Sequence, residues 1–227
     1  APPDGEMEEA CAGLRVPFST GTDWFAYDLS RVYVQAPGMR TTRDWLAALE
    51  QGKSFITNGP LLEFEVDGSP IGGALRLDKP GKVKVRASAR GRIDFGLLEI
   101  VRNGEIVAKS ESRKVGTIHA AVFSGELDLS GSAWLAARTP PPRPKGAVTN
   151  HPRSELGGLL FSHTSPIYVE VAGRPVFDPG AARSLLEEVR RAKATVEKTG
   201  TFADDHERGH VLEVYAAAIA ALEKKLK

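Results

Sequence analysis

A chain of 227 residues with 41% hydrophobic residues can bury an ordinary core, in one large or two small domains. Its 30 Lys and Arg stand against 29 Asp and Glu, which leaves no overall basic footprint for a phosphate backbone and argues against nucleic acid as a partner. No apolar run approaches the roughly 20 residues of a membrane-spanning helix, and the single cysteine, Cys11, cannot close an intrachain disulfide.

The opening segment, APPDGEMEEA, has neither an initiator Met nor a basic-then-apolar leader, so the expectation is an N-terminus that has been cut. Met7, Ala10, Cys11 and Leu14 recur at helical spacing, which places Cys11 in an apolar stripe and not in the setting of a nucleophile. Val16 to Ser19 then reads as a short strand, Thr20 to Asp28 as a loop, and Arg31 to Gln35 as a second strand. Asp23 falls just beyond the carboxyl end of the first of these, where α/β sheets hold ligands; spacing alone favours a turn cap beside Gly21.

Thr41 or Thr42 can cap a helix in which Trp45, Leu46 and Leu49 recur at helical spacing, and Gly52 can end it in the left-handed conformation. After Ser54 to Thr57, a strand, and the turn Asn58-Gly59-Pro60, the period changes to two: Leu62, Phe64 and Val66 alternate with Glu63, Glu65 and Asp67. Here a domain junction is expected, with an α/β fragment over 1–60 and a β domain over 61–177. Val83, Val85, Ala87 and Ala89 keep the alternation, and Asn103-Gly104 between Val101 and Ile106 is a strong hairpin signal. Ile118, Ala120 and Val122, then Leu127 and Leu129, then Trp134 to Arg138, Leu159 to Phe161, Ile167 to Val171 and Pro175 to Phe177 complete a succession of short strands, as in an antiparallel sandwich. Thr139 to Gly158, rich in proline, is expected to be a surface loop. Residues 178–227 read as two amphipathic helices broken at Gly200, a hairpin.

Two constellations could carry chemistry. His206-Glu207-Arg208-Gly209-His210 matches the H-E-x-x-H pattern of zinc proteases, in which two histidines one turn apart bind the ion and the Glu is general base. Its acid-laden setting after Gly200 is that of an ordinary helix start, and the zincin reading of His206, Glu207 and His210 is rejected. Trp134, Arg138 and His163 form the other, an aromatic, a cation and an imidazole that could recognise a carbohydrate or another chain. Ser162 to Pro166 is expected to break two strands, leaving His163 at a strand end beside the proline-rich loop. The structural alternative has His163 bonded to the turn and Trp134 in the sandwich core. His119 and His151 stand isolated.

Gly21-Thr22-Asp23, Arg31-Val32-Tyr33-Val34 and above all GKSFITNGPLLEFEVDG, ending at Gly68, resemble the C-terminal part of proteins of the CehA/McbA type in the PHP superfamily of metal-dependent hydrolases. The Asn103-Gly104 hairpin, WLAAR from Trp134 and FSHTSPIYVEV from Phe161 resemble the segment such proteins carry after the hydrolase barrel. The resemblance implies an α+β chain: the remnant of a distorted α/β barrel, an antiparallel Ig-like β-sandwich and a C-terminal helical hairpin. It further implies divalent metal (zinc, manganese or iron) and hydrolysis of ester or phosphoester bonds. Gly21 to Phe25 aligns with the family's last metal motif; Asp23 keeps the carboxylate, whereas Phe25 stands in place of the histidine and an aromatic hydrocarbon cannot ligate a cation. The early H-x-H ligands have no counterpart, so this chain alone is expected to hold no metal and to be inactive. Its expected partner is an upstream PHP-like segment or, through apolar surface left by an incomplete barrel, a second copy. Family habit points to an extracytoplasmic location.

Overall fold

The computed structural model describes residues 12–15, 17–20, 30–35, 38, 40–139, 153 and 159–227. Helix α1 (Thr42–Glu50) starts with a reciprocal box: the Asp44 N–H donates to the Thr41 hydroxyl, and the Thr41 N–H donates to the Asp44 carboxylate. Gly52, at φ +70°, ends it. The strands are β1 (Arg31–Val34), β2 (Ser54–Thr57), β3 (Leu61–Val66), β4 (Ser69–Pro70), β5 (Ala74–Leu77), β6 (Gly81–Gly91), β7 (Leu97–Arg102), β8 (Glu105–Glu111), β9 (Arg113–Val115), β10 (Ile118–Leu129), β11 (Ala133–Thr139), β12 (Ser162–Thr164) and β13 (Ile167–Val171).

They form two mostly antiparallel sheets. The narrow sheet runs β4-β3-β6-β10-β9. In the wide, eight-stranded sheet, β11 pairs β7 and through it β8 on one edge, and β12 and β13 on the other; β2 and β1 continue from β12, and β5 joins β13 as the parallel pair. Between β12 and β13 the register against β11 slips by one residue at Ser165-Pro166, a bulge that lets both strands follow β11. Asn103 and Gly104, at φ +49° and +90°, close the β7–β8 hairpin with the left-handed pair of a type I′ turn.

The alternation read from the sequence decides what meets between the sheets. Leu62, Phe64, Val66, Val83, Val85 and Ala89 of the narrow sheet form one apolar cluster with Leu98, Ile100, Leu135, Ile167 and Val169 of the wide one. Residues Arg15–Val176 make one compact unit, and the expected boundary at residue 60 falls inside it, because β2 pairs β12. Residues Phe177–Lys227 with 12–14 make the other. In that unit α2 (Pro179–Thr199) starts on Asp178, whose carboxylate accepts from the Gly180 N–H, and α3 (Asp205–Lys225) starts on Asp204. Arg190 of α2 joins Glu223 of α3 at 2.7 Å. No helix among the described residues is long and apolar enough to cross a membrane.

Several expectations differ from what forms. Residues 17–19 and 175–177 make no strand, and Ser162 to Thr164, expected to break one, is itself β12. Of the expected helix over 6–14, residues 12–14 form no helix and the rest, with Cys11, lies outside the described residues, as do the loop carrying Asp23 and Phe25 and most of the proline-rich segment with His151.

Candidate functional site

Strand β11 reads AWLAART, with no polar-apolar alternation, and Ala133 to Ala137 are all buried. Ala133, Leu135 and Ala137 face the sandwich core, so Trp134, Ala136 and Arg138 point to the other face of the wide sheet. The register sets His163 directly beside Arg138 on one side and Glu99 on the other, with Tyr168 beside Trp134. Trp134, Arg138 and His163 are thus brought onto one face, as the sequence suggested, but Trp134 does not fill the sandwich core; it lies on the opposite side of its own sheet. His163 sits within a strand and not at the end of one.

This face is closed. Trp134 is 1% exposed, His163 2% and Glu99 4%. The Arg138 Nε donates to Glu99 Oε2 at 3.0 Å, an ion pair largely out of water. His163 Nδ1 lies 2.7 Å from the Thr164 carbonyl oxygen, which can only accept, so Nδ1 carries the proton and the buried Nε2 presents a lone pair with no partner among the described residues. Burial above all, and then the Arg138 charge, push the imidazole down to about 4, against the pull of the Thr164 carbonyl; the ring is neutral at ordinary pH.

Part of the cover comes from the segment before the first strand. Phe18 packs edge-on against the His163 ring, centroids 5.0 Å apart. Its N–H donates to Ser165 Oγ, and its carbonyl accepts from Ser54 Oγ at 3.2 Å. Arg15 lies over the Tyr168 ring at 4.9 Å and donates to Glu170. These bonds tie the segment down by main chain as well as side chain.

Such an arrangement cannot serve as an open sugar platform, because the aromatic and imidazole faces are already covered. Nor do its residues fit a cation: the one imidazole belongs to a residue directly beside Arg138, whose charge disfavours a second cation there, and Glu99 is committed to the Arg138 guanidinium. Among the described residues no three His, Cys, Asp or Glu side chains converge as an ion site. His206, Glu207 and His210 lie exposed in the first turns of α3. There the Glu207 carboxylate accepts from the Ala203 N–H at 2.6 Å, and the Glu207 N–H donates to Asp204, so the would-be general base is part of a helix cap. Asp23 lies outside the described residues.

Sequence reading missed two members of the cluster. Glu99 had a signal, a lone acid inside the apolar run Leu97 to Val101, which in a strand demands a buried cation. Phe18 had none, since its partners are 36 and more than a hundred residues away. No family model, curated protein or solved structure is significantly similar to this chain.

Proposed function

We propose that this chain is the C-terminal region of a CehA/McbA-like, metal-dependent (phospho)ester hydrolase of the PHP superfamily, and that it supports the hydrolase without itself carrying the reaction. In this reading the segment before β3 is the remnant of the barrel, the two sheets are an Ig-like sandwich, and the ions belong to an upstream H-x-H segment. The observation that supports it is the burial on both faces of the wide sheet's central strands β2, β7, β11, β12 and β13. A stand-alone binding sandwich leaves its outer face wet, whereas a sheet that walls off a second body carries apolar residues in both phases, as β11 does. The covered state of Trp134 and His163 weighs against the alternative of a carbohydrate- or protein-binding platform at that face.

The test compares this chain with the full product of its gene. Metal content by mass spectrometry and hydrolysis of bis(p-nitrophenyl) phosphate with added manganese or zinc are measured on both. The expected result is metal and turnover in the full product and neither in this chain. A full product without metal or turnover overturns the reading, as does zinc-dependent peptide cleavage by this chain that Glu207→Gln abolishes.

A further inference from the structure

Independently of that reading, strand β10 is paired along nearly its whole length on one edge, by β6, but on the other edge only Ile118 to Ala120 meet β9. In an antiparallel strand a residue's N–H and C=O point to the same edge, and successive residues to opposite edges. The Val122 carbonyl accepts from the Ser110 hydroxyl at 2.9 Å and the Asp128 carbonyl from the Arg102 guanidinium at 3.1 Å. Val122, Ser124, Glu126 and Asp128 therefore turn their backbone groups away from β6. Two side chains stand in for strand donors at the ends, and among the described residues no strand pairs the stretch between them.

Beside this edge, between β8, β9 and β10, lies a cleft of about 660 Å³ whose lining includes Leu97, Ser110, Val115 and Val122. Val122 and Val115 are 67% and 59% exposed, the barest large apolar side chains among the described residues of their unit. On the inner side Phe123 and Leu127 are only partly buried. The cleft, whose lining also includes Lys109, Glu111 and Arg113, meets the open strand edge at Val122, and the half-covered core side chains follow along the strand from there.

We propose that the open edge of β10 docks an extended peptide segment, which continues the narrow sheet and places basic residues opposite Asp128 and Glu126 and an apolar residue opposite Val122. The backbone groups recur every second residue, a spacing that an extended polypeptide matches. Charge selects which one. On the closed edge Lys82 lies opposite Asp128 and Lys84 opposite Glu126, with Val83 and Val85 turned inward, so the protein itself carries the complement once. A second copy pairing its own β10 about a twofold axis at Ser124 would set Glu126 against Val122, a carboxylate against a valine, and is the poorer occupant.

The probe is acetyl-Lys-Val-Lys-Val-Thr-Ala-Val-amide, titrated into the ¹⁵N-labelled chain and followed by amide NMR. Shifts and new exchange protection are expected at Val122, Ser124, Glu126 and Asp128 and not in α2. Ser124→Pro removes a donor facing the open edge and leaves the β6 ladder whole; the dissociation constant should rise roughly tenfold or more. Glu126→Lys should also weaken binding and favour a peptide with Glu in place of Lys. Unchanged affinity in both variants overturns the proposal, as does equal binding of the acidic peptide by the unaltered chain. A dimer in sedimentation velocity that Ser124→Pro disperses also overturns it, by giving the edge to a second copy.

Discussion

The two sheets share one core and differ in their outer faces. On the narrow sheet the outer face is a solvated charge mosaic: Arg86 to Glu65 at 3.3 Å and the Ser88 hydroxyl to Glu63 at 2.8 Å, with Arg86 and Glu63 exposed and Glu65 and Ser88 half-buried. On the wide sheet the same kind of pair, Arg138 to Glu99, is shut away beside Trp134 and His163. An ion pair in water is nearly neutral in energy because hydration competes with it, while one out of water cannot be opened without stranding a charge. Identical chemistry therefore has opposite consequences on the two faces.

The largest expected effect follows from that contrast. Glu99→Ala leaves the Arg138 charge without its partner and should lose about 3–5 kcal/mol in urea unfolding, and Trp134→Ala should lose a similar amount through the cavity it leaves. Glu65→Ala, on the narrow sheet, should lose less than about 1 kcal/mol. Equal losses at Glu99 and Glu65 would break the comparison.

Next comes pH. The unfolded His163 takes up a proton as pH falls through 6.5, while the folded ring stays neutral until about 4. The unfolded state binds more protons in that window, so stability is full above pH 6.5 and falls as pH drops toward 4, by about 3 kcal/mol from this group. Denaturant melts at pH 7 and pH 4.5 should show the loss, and His163→Gln should remove its share of it. The smallest effect is expected for Arg86→Ala on the outer face of the narrow sheet, within about 0.5 kcal/mol of zero. A larger change there would mean that this face is covered too.

Where one face is wet, the sequence was legible. Leu62, Phe64, Val66, Val83 and Val85 were placed on the core side from alternation alone, and cap chemistry placed the start of α1 at Thr41 or Thr42, of which Thr41 is the cap, and its end at Gly52. Where both faces are dry the period-two signal vanishes, and AWLAART could not say which way Trp134 points. In β10 two phases compete: Ile118, Ala120 and Val122 against Ala121, Phe123, Leu127 and Leu129. The second wins the core, and Val122 is left in solvent. Which residues share the site was half legible, since Trp134 and Arg138 are four apart in one strand. That His163 and Glu99 flank Arg138 depends on strand pairings that no local pattern encodes.

The placement of β2 bears on how the chain comes to be folded. Its partners are β1, close by, and β12, and the Thr57 hydroxyl reaches the Phe161 carbonyl 104 residues away. During synthesis β1 and β2 emerge early and wait as a two-stranded ribbon, marginal by itself, until β11 to β13 have left the ribosome. Closing so long a loop is slow, which sets the unit among the slower-folding topologies and makes chains released before residue 171 the ones most prone to clump.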